Sequence, residues 1–370
     1  MFRFDRRLIF NFDLGLSIAM LLVAVMGMAN LFSATYTPGG GIPALFIKQS
    51  YYYLFGFLMI MVVVSFDYRV LVTLNYPFYG GVILLLLYAL FFGDSVANTQ
   101  RWINLGFIRL QPSEPAKLAM VITMASYFSR KDTGRGFGFK ELLIPMGLTV
   151  VPFLLILKQP DLGTALMMLV IFGSMALFVK IRWRTLVSLS VIALSLIPLA
   201  WIYVLKPYQK NRILTLFDPT IDPQGTGYHI AQSKIAVGSG LMFGKGFLRG
   251  TQAHLDFLPE NHTDFAFSVW AEEWGFFGCL FFLACFCLML LSALRIAAGA
   301  RDKFGMLLAY GIAALLFWQA FINLAMIMGL LPVVGMPLPL FSYGGSSLLT
   351  NLVALGILLN IGMRRFQTGN

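Results

Sequence analysis

Charged residues are scarce in this 370-residue chain, where 27 Lys and Arg and 16 Asp and Glu make up 12% of the total. An ordinary soluble domain carries roughly 25% charged residues. Hydrophobic residues instead reach 59%, and the mean hydropathy is +0.80. This composition excludes a water-soluble protein and predicts an integral membrane protein.

Cysteine is also rare, and the three cysteines, Cys279, Cys285 and Cys287, lie in one apolar stretch. They lack the paired spacing of a zinc site or a disulfide framework, so we interpret them as buried thiols. The glycine-rich stretch at 238–246 lacks the G-x-x-x-x-G-K-[ST] order of a phosphate-binding loop. Neither a metal site nor a nucleotide site is predicted from these residues.

The formal net charge is +11. In a membrane protein such a balance arises from cytoplasmic loops that retain Lys and Arg, so no nucleic-acid partner is predicted. The loop cations concentrate on one side when the N-terminus is placed inside. This asymmetry predicts that both termini are cytoplasmic and that the long connection at 207–263 is extracytoplasmic.

Long apolar runs fill most of the chain, and each can form a helix of about 20 residues that crosses the bilayer. The first run is longer than the core of a cleavable signal peptide, so it is predicted to remain as a span. We predict an all-α, polytopic membrane protein, a single domain over residues 1–370, with about ten spans near 14–34, 47–66, 70–92, 113–129, 141–158, 163–181, 185–206, 264–295, 304–329 and 343–363.

The connection at 207–263 joins the seventh and eighth spans and is unusually long for a compact domain. Apolar residues are interleaved with glycines and charges along it. This composition predicts that the segment folds back onto the membrane surface and contains short interfacial helices. Its cations, Arg212 among them, suit either an anionic ligand or a solvated surface.

Glu114 and Lys117 open the fourth predicted span, after Ser113 as the expected N-cap. Three residues apart, they share one helix face. Ionisable groups at membrane depth mark functional sites by default, because they are costly there. Two interpretations stay open for this pair, namely a structural ion pair at the membrane rim and a polar cavity wall facing the bundle interior.

Two connections between predicted spans, both expected on the outer side, contain further candidate site residues. Arg101 can donate a planar fork of hydrogen bonds to phosphate oxygens, and its neighbour Trp102 suits either that site or an interfacial anchor. Asp161 either caps the sixth span or lines the same cavity.

The densest polar cluster, Glu260, His262 and Asp264, lies where the long connection meets the eighth span, with Glu272 and Glu273 further along. Asp264 is either the N-cap of that span or a functional carboxylate. Glu272 and Glu273 are either part of the same cluster or structural.

Ordered motifs spread over nearly the whole chain resemble the SEDS family (shape, elongation, division and sporulation). The segment at 250–260 is more similar to the RodA branch than to the division or sporulation members. The matching motifs are Gln100–Trp102, Gln111–Lys117, Gln159–Thr164, Tyr208–Gln209 with Arg212, Gly227–His229, Gln232–Ala236, Leu258–Glu260, His262–Phe265, Asn323, Leu331–Leu340 and Phe341–Ser347.

The resemblance implies a peptidoglycan glycosyltransferase of the bacterial inner membrane that polymerises lipid II on the outer face during cell elongation. It implies an inverting reaction and, as partners, a class B penicillin-binding transpeptidase and other elongation proteins. It carries the catalytic role onto Asp264 and cavity or substrate-binding roles onto Arg101, Trp102, Glu114, Lys117, Asp161, Arg212, Glu260 and His262. It makes no cofactor certain, and a requirement for a divalent cation, Mg or Mn, stays open.

Two other functions remain open. A lipid II flippase would also need a polar cavity inside the membrane, and a non-catalytic scaffold would recruit cell-wall enzymes. The sequence contains neither the internal repeats nor the broken-helix pairs typical of many transporters. Its richest chemistry lies at the outer edge, which favours the enzyme.

Overall fold

The computed structural model describes residues 12–37, 39–96, 99–104, 106, 109–131, 134, 136–218, 221–223, 225–254 and 260–365. Each of the ten predicted spans coincides with a helix, which confirms the predicted helical membrane fold. These helices are α1 (Leu14–Thr35), α2 (Ala44–Ser65), α3 (Val70–Phe92), α4 (Ser113–Arg130), α5 (Phe139–Lys158), α6 (Leu162–Phe178), α7 (Trp183–Leu199, continued by a π-helical turn, Ala200–Val204), α11 (Ala266–Ala298), α12 (Lys303–Ile327) and α13 (Gly345–Met363).

Eight of these helices are long and apolar enough to cross a membrane by length and composition, within the described part of the chain. The other two are α4, which carries Glu114 and Lys117, and α6, which has 17 residues. Most residues of α4 are buried, and it packs against α3, α6, α12 and α13. Because its neighbours cover it, α4 can keep two charges that a lipid-facing helix could not.

Two prolines interrupt the hydrogen bonding of α5, and tyrosines from other helices compensate. A proline has no N–H, so the carbonyl four residues earlier loses its helical partner. For Pro145 that carbonyl is Glu141, which accepts a hydrogen bond from the Tyr127 hydroxyl at 2.7 Å. For Pro152 it is Leu148, whose carbonyl accepts from the Tyr79 hydroxyl at 2.6 Å.

The predicted helices of the long connection are present as α8 (Pro207–Phe217), α9 (Thr226–Ser239) and α10 (Thr251–His254). Residues 255–259, part of the RodA-like motif, lie outside the described residues, as do 1–11 and 366–370. The sides on which the termini lie therefore remain a prediction.

A small antiparallel sheet was not predicted from the sequence. Its strands, β1 (Asp94–Val96), β2 (Thr99–Asn104) and β3 (Arg109–Leu110), fall between α3 and α4. The all-α prediction therefore needs this correction. The strands are short, and they lie in a polar connection without a clear alternating pattern, so no strand was predicted there.

Helix α11 is broken near its start. It has 33 residues, about 50 Å at the usual rise and more than the roughly 30 Å of a hydrocarbon core. Gly275 adopts φ 62° and ψ −161°, a conformation that only glycine takes readily. Residues 266–274 thus form a separate half-helix. This single break was not predicted from the sequence, and it does not by itself form the pair of broken helices typical of many transporters.

The cysteines are free thiols, but only in part buried as predicted. Cys285 is buried, Cys279 is half-buried and Cys287 is exposed on the outside of the bundle. In an apolar helix that faces lipid, an exposed thiol meets hydrocarbon, so this difference does not alter the membrane assignment.

Candidate active site

Asp264 lies in the turn that leads into the half-helix of α11. The N-cap of α11 is Phe265, so Asp264 does not cap the helix. The Asn323 side chain donates to the carbonyl of Asp264 at 2.8 Å and to that of Met336 at 2.7 Å, which ties the turn to the 331–340 motif. A Cβ on Gly335 would lie 3.4 Å from Oδ2 of Asp264. The carboxylate therefore sits directly against the backbone of that motif.

Protein atoms surround Asp264 on most sides although its surface is only half-buried. This burial is the largest reason that its pKa is raised from 3.8 to about 6. Glu260 and Asp161 raise that pKa further by their negative charge, whereas Arg101 and Arg212 lower it. We call these five residues the Asp264 site. They come from four separate parts of the sequence, because Glu260 and Asp264 belong to one turn.

Arg101 reaches the site through an irregularity in the sheet. Asp94 pairs with Trp102 and Ser95 with Gln100, so Arg101 has no partner on β1 and forms a bulge. A bulge redirects a side chain. The guanidinium of Arg101 lies 3.5 Å from the carboxylate of Asp161, and its Nε is buried with no hydrogen-bond partner among the described residues.

Asp161 is the N-cap of α6, as one of its two interpretations predicted, and that it lines a cavity stays a prediction. It caps α6 by accepting from the Thr164 backbone N–H at 3.1 Å and from the Thr164 hydroxyl at 3.0 Å. Its other contacts face the site, because it also pairs with Arg101 and accepts from the Gln111 amide at 3.2 Å. The residue is buried, at 4% exposure.

Arg212 is held on α8 by two contacts. It donates to the carbonyl of Val333 at 3.1 Å, and its guanidinium lies 5.9 Å from the ring centre of Tyr208. Tyr208, one turn earlier, donates its hydroxyl to the carbonyl of Pro160 at 3.2 Å. Helix α8 is therefore fastened both to the 331–340 motif and to the turn before Asp161. Tyr208 was part of a recognised motif, but no role was predicted for it.

Glu260 and His262 shape the turn that holds Asp264. Glu260 has a left-handed backbone (φ 54°), and its carboxylate accepts from the Thr263 hydroxyl at 2.7 Å. The carbonyl of His262 accepts from the Tyr343 N–H at 2.9 Å, and their rings lie 5.9 Å apart. Burial lowers the pKa of His262, partly offset by Glu260. Contact of either residue with substrate stays a prediction.

The remaining predicted residues lie near this end of the bundle. Lys117 donates to Glu114 at 2.9 Å, and both are buried, so the pair faces the bundle interior rather than lipid. Trp102 follows Arg101 on β2 and is half-buried. The N-cap prediction for Ser113 was wrong, because Pro112 occupies that position and the Ser113 hydroxyl is buried without a partner among the described residues.

No group of three or more His, Cys, Asp or Glu suited to a metal ion occurs among the described residues. Magnesium, however, often binds through one or two carboxylates together with phosphate oxygens of a substrate. In this site the exposed Glu260 would be a carboxylate of that kind.

Residues 12–367 match the family described as cell cycle protein, the FtsW, RodA and SpoVE proteins. The chain belongs to the FtsW/RodA/SpoVE family. This confirms the predicted SEDS resemblance. Among curated relatives, the peptidoglycan glycosyltransferase MrdB of Escherichia coli (strain K12) is 43% identical over 282 residues, 74% of each chain.

Solved structures of the FtsW/RodA/SpoVE family share the fold. One, described as structural coordination of polymerization and crosslinking by a peptidoglycan synthase complex, is 33% identical with a TM-score of 0.82, covering 96% of this chain and 99% of that chain. The crystal structure of Thermus thermophilus RodA is 31% identical with a TM-score of 0.72, covering 96% and 98%. The predicted enzyme class, a peptidoglycan glycosyltransferase, is confirmed by the relatives, and the chain is a multi-pass membrane protein.

Proposed function

We propose that this protein polymerises lipid II into glycan strands during cell elongation and releases undecaprenyl pyrophosphate. The observation that carries the proposal is a carboxylate with a raised pKa, Asp264, in the field of two arginines, Arg101 and Arg212. A proton acceptor beside fixed cations is what transfer of a sugar from a diphosphate requires. The names of the relatives support the same reaction.

Asp264 acts as the general base. A sugar hydroxyl is a poor nucleophile near neutral pH, and a positioned base accelerates its attack by about 10² to 10⁴. The carboxylate takes the proton of the acceptor's 4-hydroxyl while that oxygen bonds to the anomeric carbon of the donor. The bond from that carbon to the diphosphate oxygen breaks, and the diphosphate leaves with the electron pair. A pKa of about 6 keeps the base ionised at pH 7 and still basic enough to accept the proton.

Arg101 and Arg212 stabilise the leaving diphosphate. Donors that are already fixed in place lower the energy of charge that develops in the transition state. The buried Nε of Arg101 is free to donate to a phosphate oxygen, and the planar guanidinium suits such contacts. Lys117 would contribute from deeper in the bundle, and a divalent cation held by Glu260 would neutralise part of the negative charge of the diphosphate.

One displacement with one base inverts the anomeric centre, so no carboxylate nucleophile is needed. This differs from retaining glycosidases, which form a covalent intermediate with a second carboxylate. Glu260 is then assigned the role of raising the pKa of Asp264, and it does not attack the donor sugar. Trp102, His262 and Asp161 are proposed to shape the substrate cavity around these groups.

We further propose the bacterial inner membrane as the location, with both termini in the cytoplasm and the Asp264 site outside. The partners proposed are a class B penicillin-binding transpeptidase, which would crosslink the product, and other elongation proteins. The similar synthase complex, described as coordinating polymerization and crosslinking, supports the first partner.

Purified protein in lipid nanodiscs or proteoliposomes, supplied with labelled lipid II, tests the proposal. We expect glycan polymer from the wild type and none from Asp264→Asn. Asp13→Asn is the matched control, because Asp13 caps α1 by accepting from Leu16 at 2.9 Å and Asn can cap as well. The assay is run with and without a divalent cation and the transpeptidase.

Other outcomes identify the rival functions. Translocation without polymer would identify a flippase. Neither activity, with the partner bound, would identify a scaffold. Polymer from Asp264→Asn at the wild-type rate would remove Asp264 from the role of base.

A further inference from the structure

The half-helix that follows Asp264 is set off from the rest of α11 by a backbone break. Only Phe265 lies between Asp264 and its first residue, Ala266. At its other end, the non-helical Gly275 interrupts the helix. A continuous helix would fix Asp264 relative to the membrane span. The break weakens that coupling, although the indole N–H of Trp270 still donates to the carbonyl of Gly278 across it at 3.0 Å. Contacts with other segments therefore contribute more to fixing the half-helix.

Glu272, near the end of the half-helix, makes the densest set of these contacts. Its side chain has no exposed surface, yet Oε1 accepts from Nζ of Lys245 at 2.6 Å and from the backbone N–H and hydroxyl of Thr251, both at 2.8 Å. The N–H of Gln252 donates to Oε2 at 3.2 Å. Lys245 also donates to the Thr251 hydroxyl at 2.9 Å. One buried carboxylate thus accepts hydrogen bonds from both ends of the segment 245–252 in the long connection.

Backbone contacts align the same two segments. The N–H groups of Lys245 and Gly246 donate to the carbonyls of Glu272 and Glu273 at 3.0 and 2.9 Å. The neighbouring Glu273 accepts a hydrogen bond from the Ser33 hydroxyl of α1. The end of the half-helix that carries Glu272 and Glu273 is therefore hydrogen-bonded to α1 and to residues 245–252. Asp264 lies at the opposite end of the half-helix.

We propose that Glu272 is a positioning residue for glycosyl transfer, which sets the place of Asp264 by tethering the half-helix to Lys245 and Thr251. The inference rests on the proposed role of Asp264 as base. The tether acts at one end of a short rigid element whose other end carries the reacting group. A shift of about 1 Å in such a group can reduce the rate by about 100-fold.

The charge of Glu272 is essential to the tether. A carboxylate accepts at both oxygens, whereas the amide of a Gln places an NH₂ where one oxygen was and repels one of the donors. The attraction to Lys245 is also lost, and hydrogen bonds to charged groups are the stronger ones. Glu272→Gln therefore weakens the contacts of residue 272 with Lys245 and Thr251 with little change in side-chain volume.

The test measures kcat and KM for lipid II polymerisation in nanodiscs for Glu272→Gln, Lys245→Met and the double variant. We expect each single variant to lower kcat about tenfold with KM changed less than twofold, at an unchanged fraction of folded protein. The double variant should be no slower than the slower single variant, because both members belong to one tether. Glu141→Gln is the matched control, since its ion pair with Arg182, at 4.0 Å, is exposed.

Three results would overturn the proposal. These are a wild-type kcat in folded Glu272→Gln, a loss of activity that only parallels a loss of folded protein, and multiplicative losses in the double variant. Failure of the base assignment is seen separately, because it would leave Asp264→Asn active whatever the Glu272 variants do.

Discussion

Arg101 lies 3.5 Å from Asp161, and this contact joins β2 to the start of α6. The guanidinium is aimed by a bulge, and the carboxylate is held by the helix that it caps. Two locally determined structures thus meet in one ion pair beside Asp264. Each half follows from local geometry, but their meeting depends on how the helices pack.

The two roles of Asp161 can be separated by substitution. Asn caps helices about as well as Asp, whereas Ala does not. We expect Asp161→Asn to keep the thermal stability of the wild type but to reduce polymerisation, because Arg101 loses its partner. Asp161→Ala should in addition lose about 1 kcal/mol of stability. Melting temperature and initial rate, measured on both variants, check this. Equal stability of the two would contradict the capping role.

Polymerisation should depend on pH through Asp264. Burial and Glu260 raise its pKa to about 6, so the base becomes protonated as the pH falls through that value. We expect kcat/KM to be constant above about pH 7 and to fall about tenfold per unit well below pH 6. In Glu260→Gln the midpoint should move to lower pH, because a neighbouring negative charge is gone. Initial rates from pH 5 to 8 measure this, and an unmoved midpoint would count against the coupling.

The buried pair of Glu114 and Lys117 should be far more sensitive to one substitution than to two. Lys117→Met leaves the Glu114 carboxylate buried, at 3% exposure, without its cation. Removing one member of a buried pair costs about 3–5 kcal/mol. Glu114→Gln together with Lys117→Met should recover much of that loss. Thermal unfolding in detergent compares the three proteins, and an equally unstable double variant would refute the explanation.

Gly275 should not accept a side chain. Its positive φ is unfavourable for other residues, and a Cβ there would collide with the backbone nitrogen of Gly244. We expect Gly275→Ala to reduce the yield of folded monomer and the melting temperature. Gly147→Ala is the matched control, because a Cβ on Gly147 in α5 meets nothing within 4 Å. Size-exclusion chromatography and thermal unfolding would reveal any tolerance of the first change.

Hydropathy was sufficient to predict the membrane helices, because burial in lipid imposes one length and one composition on each span. It did not predict the break at Gly275, since the apolar run continues across it and hydropathy does not depend on backbone angles. The sheet was missed because its strands have only 3, 6 and 2 residues and the sequence there has no clear alternating pattern.

Within the site, the sequence identified charged residues but not their partners. Asp264 and Asp161 stood out because carboxylates are rare in an apolar chain. Asn323 was recognised as part of a motif, yet its hydrogen bond to the carbonyl of Asp264 forms only because α12 packs near the start of α11. Glu272 and Glu273 were considered for the same acidic cluster, whereas the structure places them at the far end of the half-helix from Asp264.

The two tyrosine hydroxyls that serve α5 bear on the order of membrane assembly. Until Tyr79 and Tyr127 are in place, the carbonyls that Pro152 and Pro145 leave unpaired would face hydrocarbon. Both tyrosines belong to helices that precede α5 in the chain, α3 and α4. During synthesis from the N-terminus, the two tyrosine donors are therefore made before the carbonyl acceptors of α5. Helix α5 can then leave the translocon next to α3 and α4, whose tyrosines form hydrogen bonds with those carbonyls.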